Sequence, residues 1–479
     1  MRTIIKIISV FIFSYFIINS AYTQISFKKT LGTDYDDFPT NILINENRNK
    51  IFGIKSYPYF QGETFTTLYR MTDDGDILHQ NEITKADTNL RIDYISKSYL
   101  QNEYFGAGQL KTSDSFWLWL LTFDEEFNIN WQKKVELPNF ISIGRTYIVK
   151  KDYSYYLALS LNNTNEIPVN VMCRYSPAED TIVFSEWSME GGSLGDLEAN
   201  MNNDNFLYGG TMLERNFSRL WEVTPDLELS NEYDSLENDI YHMIDLEWRN
   251  DNELLYAGTY QDEDCSCRKM GIQIMDTTMN VQQFNSFGNT NVERNYVGAL
   301  NSIAIDNNEN IYLSGTEQVL LNQFPNIENY LAIHKLDTNL NSEWSYLLGG
   351  DAYYNMYSIA PASDGGVVFA ATRYDWETQN QERDVYLVGM GPDGLMTNTE
   401  ENTSHKQSVR LSPNPGRDLV KVDVNKKTFI LQFYDVMGKR VLRSQNQKTI
   451  DVSHLKAGVY FYRITSNGKL IGEGKWVKE

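Results

Sequence analysis

The chain has 479 residues, 42 of them basic and 64 acidic, for a formal charge of −22, and it carries 31 tyrosines, 9 tryptophans and only 3 cysteines. The charge is unevenly spread: residues 24–408 hold 26 basic and 58 acidic residues, a charge of −32, whereas 409–479 hold 14 and 6, a charge of +8. So acidic a body excludes nucleic acid and anionic lipid as partners, since both are bound by cationic neutralisation, and three cysteines exclude a disulfide framework, so an apolar core must hold the fold.

At the N-terminus, Arg2 and Lys6 precede an apolar run from Ile7 to Ile18, and Asn19-Ser-Ala-Tyr-Thr23 follows with small and polar residues. Charge, apolar core and small residues in that order predict a secretory signal peptide over 1–23, with the mature chain starting near Gln24. The run is shorter than the roughly 20 residues a bilayer requires, and no other segment reaches that length, so no transmembrane segment is expected.

The body repeats. A six-residue pattern, apolar or aromatic and then small, ends at Ser56, Gln109, Ser160, Thr211, Thr259, Thr316 and Thr372, at intervals of 48 to 57 residues. Each pattern is preceded by another strand, as in Ser302-Ile-Ala-Ile-Asp-Asn-Asn-Glu-Asn-Ile-Tyr312, and followed by a third strand running into an Asp, Gly or Pro turn, as in Leu68-Tyr-Arg-Met-Thr-Asp-Asp-Gly75. Fourth strands carry central aromatics, among them Trp131, Trp187, Tyr233, Phe284 and Trp344. Seven units of four strands predict an all-β fold, a seven-bladed β-propeller over 24–398. The seventh unit lacks an aromatic fourth strand, but Ile25-Ser-Phe-Lys-Lys-Thr-Leu-Gly32 aligns with Ser342-Glu-Trp-Ser-Tyr-Leu-Leu-Gly349, putting Phe27 on Trp344. The N-terminal strand is therefore expected to complete the last blade and close the ring. These units resemble those of large secreted and bacterial propellers, a resemblance that concerns the scaffold alone.

Chemistry is sparse in this body. His79, His242, His334, His405 and His454 are isolated, and Asp73-Asp-Gly-Asp76 and Asp306-Asn-Asn-Glu-Asn310 read as turns. Asp262-Glu-Asp264 lacks the ligand spacing of a calcium loop, and Cys265-Ser-Cys267 lacks a second ligand pair, so neither a metal nor any other cofactor is expected. The long, unalike connections between second and third strands are the expected binding face, joined by blade-to-blade loops. They offer Tyr57, Tyr59, Tyr260, Asp262, Tyr374 and Trp376, and the blade-to-blade loop adds Tyr353 and Tyr354. Exposed rings and carboxylates there suit a surface glycan or an envelope protein.

A polar linker, Thr399-Glu-Glu-Asn-Thr-Ser-His-Lys-Gln-Ser408, leads into a module over 409–479 with short β-branched and aromatic runs at Val420–Val424, Ile430–Tyr434 and Val459–Ile464. Its turns and ends carry Pro413, Asn414 and Pro415, then Gly438, Leu455, Gly458 and Tyr460. That pattern predicts a small antiparallel β-sandwich, and its motifs closely resemble the C-terminal sorting domain of type IX (Por) secretion cargo. The resemblance implies handling by the type IX machinery, passage through periplasm and outer membrane, and a secreted or cell-surface destination. For the body three functions stay open: a non-catalytic recognition or structural propeller, a glycan-active hydrolase or lyase, and a subunit of a cell-surface assembly. A pocket at the axis lined by two or more carboxylates within reach of each other favours the enzyme, and its absence favours binding.

Overall fold

The computed structural model describes residues 26–58, 63–190, 192–212, 217–233, 240–262, 264, 267–288, 294–319, 329–376, 382–394, 410–423, 429–434, 440–466 and 469–479. The expected signal peptide, Tyr59, Gly438 and the linker lie outside the described residues, which contain strands and no helix. Two compact units divide the chain, Met1–Asn398 and Thr399–Glu479.

In the larger unit the strands form seven antiparallel sheets, each with a four-strand path. Their leading strands are Asp36–Pro39, Asn89–Lys97, Phe140–Lys151, Gly192–Ala199, Ile240–Asn250, the broken pair Tyr296–Val297 and Ile303–Ile305, and Tyr353–Pro361, which number the sheets 1 to 7. The repeated six-residue pattern is the second strand of every sheet. Its apolar positions are buried because both faces of that strand meet another sheet, while Ser56, Gln109 and Thr316 end it as buried polar groups.

Sheet 7 takes its fourth strand from the other end of the chain. Phe27–Leu31 pairs antiparallel with Asp384–Met390, Phe27 opposite Gly389, just as Trp344 lies opposite Lys335 one residue from the strand end in sheet 6. The two aromatics also pack alike. A Cβ on Gly394, where φ is +73°, would lie 2.9 Å from the Trp344 ring, and one on Gly75, where φ is +87°, would lie 2.7 Å from the Phe27 ring. In both turns glycine supplies the left-handed backbone and the space for the preceding sheet's aromatic.

Apolar cores lie between successive sheets. Trp119 and Phe123 of sheet 2 pack with Ile51 and Leu68 of sheet 1, and Tyr354 and Phe369 of sheet 7 pack with Tyr312 and Leu331 of sheet 6. Phe27, Val368 and Leu387 of sheet 7 in turn share a core with Ile42, Phe52 and Ile54 of sheet 1. Aspartates close the turns between strands, as expected for Asx chemistry: Asp306 Oδ1 accepts from the Asn308 and Asn310 amides at 2.8 and 3.0 Å, and Asp337 and Asp276 repeat the arrangement.

The smaller unit holds a three-stranded and a four-stranded antiparallel sheet around one core that includes Val420, Phe433, Leu455, Tyr460 and Trp476. The Pro-Asn-Pro segment is strapped to the final strand, Lys469–Lys478. Asn414 Nδ2 donates to Lys475 O at 2.8 Å, Asn414 Oδ1 accepts from the Val477 amide at 3.0 Å, and the Trp476 indole donates to Pro413 O at 2.8 Å. Asn414 thus acts as a strand partner between two prolines that have no amide hydrogen to give.

Candidate functional site

The proposed loop residues divide by burial. Tyr353, Tyr354 and Tyr374 are 8, 3 and 7% exposed, so the expectation of exposed rings fails for these three. Tyr354 donates from its hydroxyl to Asp351 Oδ1 at 2.7 Å and accepts from Arg373 Nε at 3.1 Å, while burial pushes Tyr353 up to about 12. Tyr57, Tyr260, Asp262 and Trp376 are half-buried. Tyr57 accepts from Arg91 Nη1 at 2.9 Å, Tyr260 meets Phe284 edge-on at 4.9 Å, and Asp262 pairs with Lys269 at 2.5 Å. Aromatic area here is turned mostly toward the protein's own chain. Cys267 is disulfide-bonded and so has no thiolate for a metal, and Cys173 is a buried thiol.

A different set of side chains is brought together along the leading strands. One register position recurs, occupied by Asn41, Tyr94, Tyr147, Asp196, Asp245, Ser302 and Ser358, each followed by a core Ile or Leu. At four of the seven positions the residue accepts from the backbone of the next sheet. Asn41 accepts from the Ile95 amide at 2.9 Å, Asp196 from Leu246 at 3.0 Å, Asp245 from Ile303 at 2.6 Å, and Ser358 of sheet 7 from Ile42 of sheet 1 at 3.0 Å. Asp245 also accepts from the amide and hydroxyl of Ser302, at 2.6 and 3.1 Å. The remaining junctions use other groups. Gln109 accepts from the Ile143 amide at 3.0 Å, Arg145 donates to Leu194 O at 3.0 Å, and the Ile359 amide donates to Asn301 O at 3.0 Å.

Asp196 and Asp245 are 3 and 2% exposed, and their carboxyl groups hydrogen-bond each other. Two residues further along the same strands stand Glu198 and Glu247, half-buried and close enough to Asp245 to feel its charge. Burial, then the neighbouring carboxylates, holds Asp196 and Glu198 well above the usual carboxyl range, and burial pushes Asp245 to about 6 and Glu247 to about 8. Two carboxyl pairs with separated proton affinities are a pattern that acid and base chemistry uses. Beside them the Tyr94 and Tyr147 rings meet at 5.4 Å, tilted by 49°, and the Tyr147 hydroxyl has Arg145 as a hydrogen-bond partner and lies in the field of Asp196 and Asp245.

None of these residues was singled out from the sequence. The signal was present: Asp196-Leu-Glu198 and Asp245-Leu-Glu247 repeat one tripeptide 49 residues apart, within the 48 to 57 residue spacing of the repeat. Among the described residues no group of three or more His, Cys, Asp or Glu side chains is arranged to hold a metal ion. A separate cavity of 320 Å³ lies at the opposite strand ends, where Lys97, Tyr99, Glu103 and Lys150 line it and Lys150 Nζ sits 4.8 Å from the Tyr99 ring centre.

The fold and these sites define an all-β protein of repeated antiparallel sheets, propeller-like in organisation, with a separate C-terminal unit. Residues 410–479 of that unit match the family of secretion system C-terminal sorting domains, and the protein is accordingly exported through the outer membrane to the cell surface or beyond, by way of the type IX system. No curated protein matches the chain. Among solved structures it is similar to a fungal alcohol oxidase in complex with copper, at 12% identity over 95% of this chain and 99% of the other with a TM-score of 0.46. It is also similar to an oligogalacturonate lyase of Vibrio parahaemolyticus (11%, 77% and 98%, TM-score 0.46) and to hydrazine synthase of Kuenenia stuttgartiensis (10%, 77% and 98%, TM-score 0.44).

Proposed function

We propose that this is an exported, non-catalytic recognition or structural propeller: a signal peptide over 1–23, seven blades over 24–398 closed by the N-terminal strand, a linker over 399–408, and a sorting β-sandwich over 409–479. Closure is supported by the shared core and the Ser358-to-Ile42 bond between sheets 7 and 1. The observation that carries the non-catalytic reading is how the axial polar groups are used. Asp245 accepts three hydrogen bonds and Asp196 two from main chain or Ser302, so these carboxylates serve to staple neighbouring blades. A rigid ring of this kind presents its variable loops, with Tyr57, Asp262 and Trp376 as the more accessible side chains, to a surface glycan or an envelope protein.

The test is capture with the purified full chain, immobilised, of defined surface polysaccharides and isolated envelope proteins. Retention of one class that a Tyr57→Ala, Trp376→Ala variant loses supports recognition; a chain that retains neither, or a variant that retains both unchanged, overturns it. Sorting is tested separately by deleting 409–479, after which the protein should accumulate in the periplasm. One observation favours a second reading, a glycan-active enzyme. Glu247, pushed to about 8 beside Glu198, holds a proton at neutral pH as a general acid must. Cleavage of any acidic or neutral polysaccharide that is lost in Glu247→Gln would establish it.

A further inference from the structure

The cavity at the first turns of sheets 1 to 3 has walls from Asn45 and Glu46 of sheet 1, from the Lys97 to Tyr104 segment of sheet 2 and from Lys150 of sheet 3. At 320 Å³ it falls at the lower end of the roughly 300–1,000 Å³ that small-ligand sites occupy. Its lysines break the repeat. Opposite the first residue of each second-strand pattern the leading strands place Leu43, Ala199, Trp248, Ile305 and Pro361, but sheets 2 and 3 place Lys97 and Lys150. An apolar residue serves the scaffold at this position, so two lysines on neighbouring sheets point to another use.

Neither lysine is neutralised by the chain, although residues 24–408 carry a charge of −32. Among the described residues Lys97 and Lys150 form no ion pair; Lys150 Nζ donates to Ser98 O at 3.0 Å and sits 4.8 Å from the Tyr99 ring centre. Burial, then the Lys97 charge beside it, holds Lys150 below the usual lysine range. The carboxylates of the wall are held by neutral donors instead. Glu103 accepts from the Ser98 hydroxyl at 2.6 Å and from Asn130 Nδ2 at 3.0 Å, and Glu46 accepts from Gln101 Nε2 at 2.9 Å. The rim is also unlike its counterparts. Leu100 is 67% exposed and Tyr153 78%, whereas Asn45-Glu-Asn-Arg-Asn49, Asn250-Asp-Asn252 and Asp306-Asn-Asn-Glu-Asn310 fill the same turn elsewhere with polar groups. Asp152 and Tyr153 form a two-residue hairpin turn at φ +50° and +57°, where glycine or asparagine is favoured and a bulky side chain is strained. The Tyr153 ring stacks on Tyr99 of the cavity wall, centres 5.3 Å apart. A tyrosine kept exposed in a strained turn against a cavity wall is placed to meet the apolar face of a ligand.

We propose that this cavity binds an acidic sugar, its carboxylate between Lys97 and Lys150 and its ring against Leu100 and the Tyr153–Tyr99 pair. The two ammonium groups supply donors for a carboxylate. Glu46 and Glu103 offer acceptors and the amides of Gln101 and Asn102 offer both acceptors and donors, which suits sugar hydroxyls, since each can give one hydrogen bond and take others. Other anions fit less well. A phosphate has almost no donor to give the two carboxylates, and an acidic peptide would set its further carboxylates against them. The same sugar carboxylate is carried by uronate units inside a polysaccharide and by terminal ulosonic acids. The site lies at the strand ends away from the Tyr57 and Trp376 loops, and it does not depend on the recognition proposed for them.

The experiment is titration calorimetry on the full-length protein with an alginate tetrasaccharide and with sialyllactose, and with cellotetraose, tetraglutamate and inorganic phosphate as controls. Saturable binding of an acidic sugar is expected, with each control weaker by about tenfold or more. Tighter binding of the alginate assigns an internal uronate; the reverse order assigns a terminal ulosonic acid. Lys97→Met with Lys150→Met should abolish binding. Tyr153→Gly should weaken it about fivefold, the value of one aromatic contact, while raising the urea midpoint because glycine relieves the turn, so the loss cannot be laid to unfolding. A control that binds as tightly as the acidic sugars, no saturable heat with either sugar, or unchanged binding in the lysine double variant or in Tyr153→Gly each overturns the site. The control ligands act on the wild type, so they decide the matter even where a variant fails to fold. Glycan or envelope capture that persists while both acidic sugars fail overturns this site alone and leaves recognition standing.

Discussion

Asp245 separates two effects that usually occur together, a structural hydrogen bond and a buried charge. Its carboxylate accepts from Ser302 N, Ser302 Oγ and Ile303 N through one oxygen, Oδ2, and it shares a proton with Asp196. Burial raises it from 3.8 to about 6, so the folded state holds a proton that the unfolded chain has released. The resulting stability is fully present below pH 3.8 and is lost as pH rises through 6, and Glu247 extends the loss through pH 8. For Asp245 the shift corresponds to at most about 3 kcal/mol. Asp245→Asn keeps an oxygen for the three donors and offers its amide to Asp196, so at pH 8 it should stabilise the protein. Asp196 also ionises more readily once its neighbour is neutral, so its own loss of stability at high pH shrinks and the dependence on pH weakens further. Asp245→Ala instead strands three buried donors, each costing about 1 to 3 kcal/mol, and should destabilise at every pH. Urea unfolding followed by tryptophan fluorescence at pH 5 and pH 8 measures both variants. The wild type should be more stable at pH 5 than at pH 8, with a smaller difference in Asp245→Asn. The reasoning is refuted if Asp245→Asn loses stability at pH 8 as Asp245→Ala does, or keeps the full wild-type dependence on pH.

Three further outcomes are expected. Phe27→Ala, which empties a 3% exposed site between the first and last sheets, should cost about 3 to 5 kcal/mol in urea unfolding and expose the chain ends to limited proteolysis. Gly394→Ala should also destabilise, because its Cβ would meet Trp344 at 2.9 Å and its φ of +73° disfavours any side chain; Trp344→Ala should relieve the clash, giving a measurable coupling in a double-mutant cycle. Asn414→Ala removes both bonds that strap the Pro-Asn-Pro segment to the last strand, and fractionation should find more of the protein in the periplasm and less outside the cell, with the larger unit's unfolding unchanged.

The scaffold was legible because it is periodic. Apolar second strands and Asp or Gly turns return every fifty or so residues, and one sheet face packed on the next leaves little freedom over which residues are inside. Even the borrowed strand was readable, since Phe27 and Trp344 answer the same geometric demand, an aromatic on the glycine of the following turn. The exposure of the proposed loop residues was read less well. Loop tyrosines look alike in a sequence whether they face solvent or, like Tyr354, satisfy an arginine and an aspartate of their own sheet. Their burial depends on long-range packing that spacing does not encode.

The axial residues were overlooked for the opposite reason. Asp196-Leu-Glu198 and Asp245-Leu-Glu247 obey the repeat, and a search for departures from the repeat passes over what conforms to it. At sheets 4 and 5, however, conformity is itself the unusual arrangement, because it sets two buried carboxyls against each other where Asn41 and Ser358 staple without any charge. Evolution of the scaffold alone gives no reason to retain two such pairs at the expense of stability at neutral pH. The glutamates two residues beyond add to that crowding and staple no neighbouring sheet, so burial keeps protons on this cluster at a pH where free carboxyls have lost them.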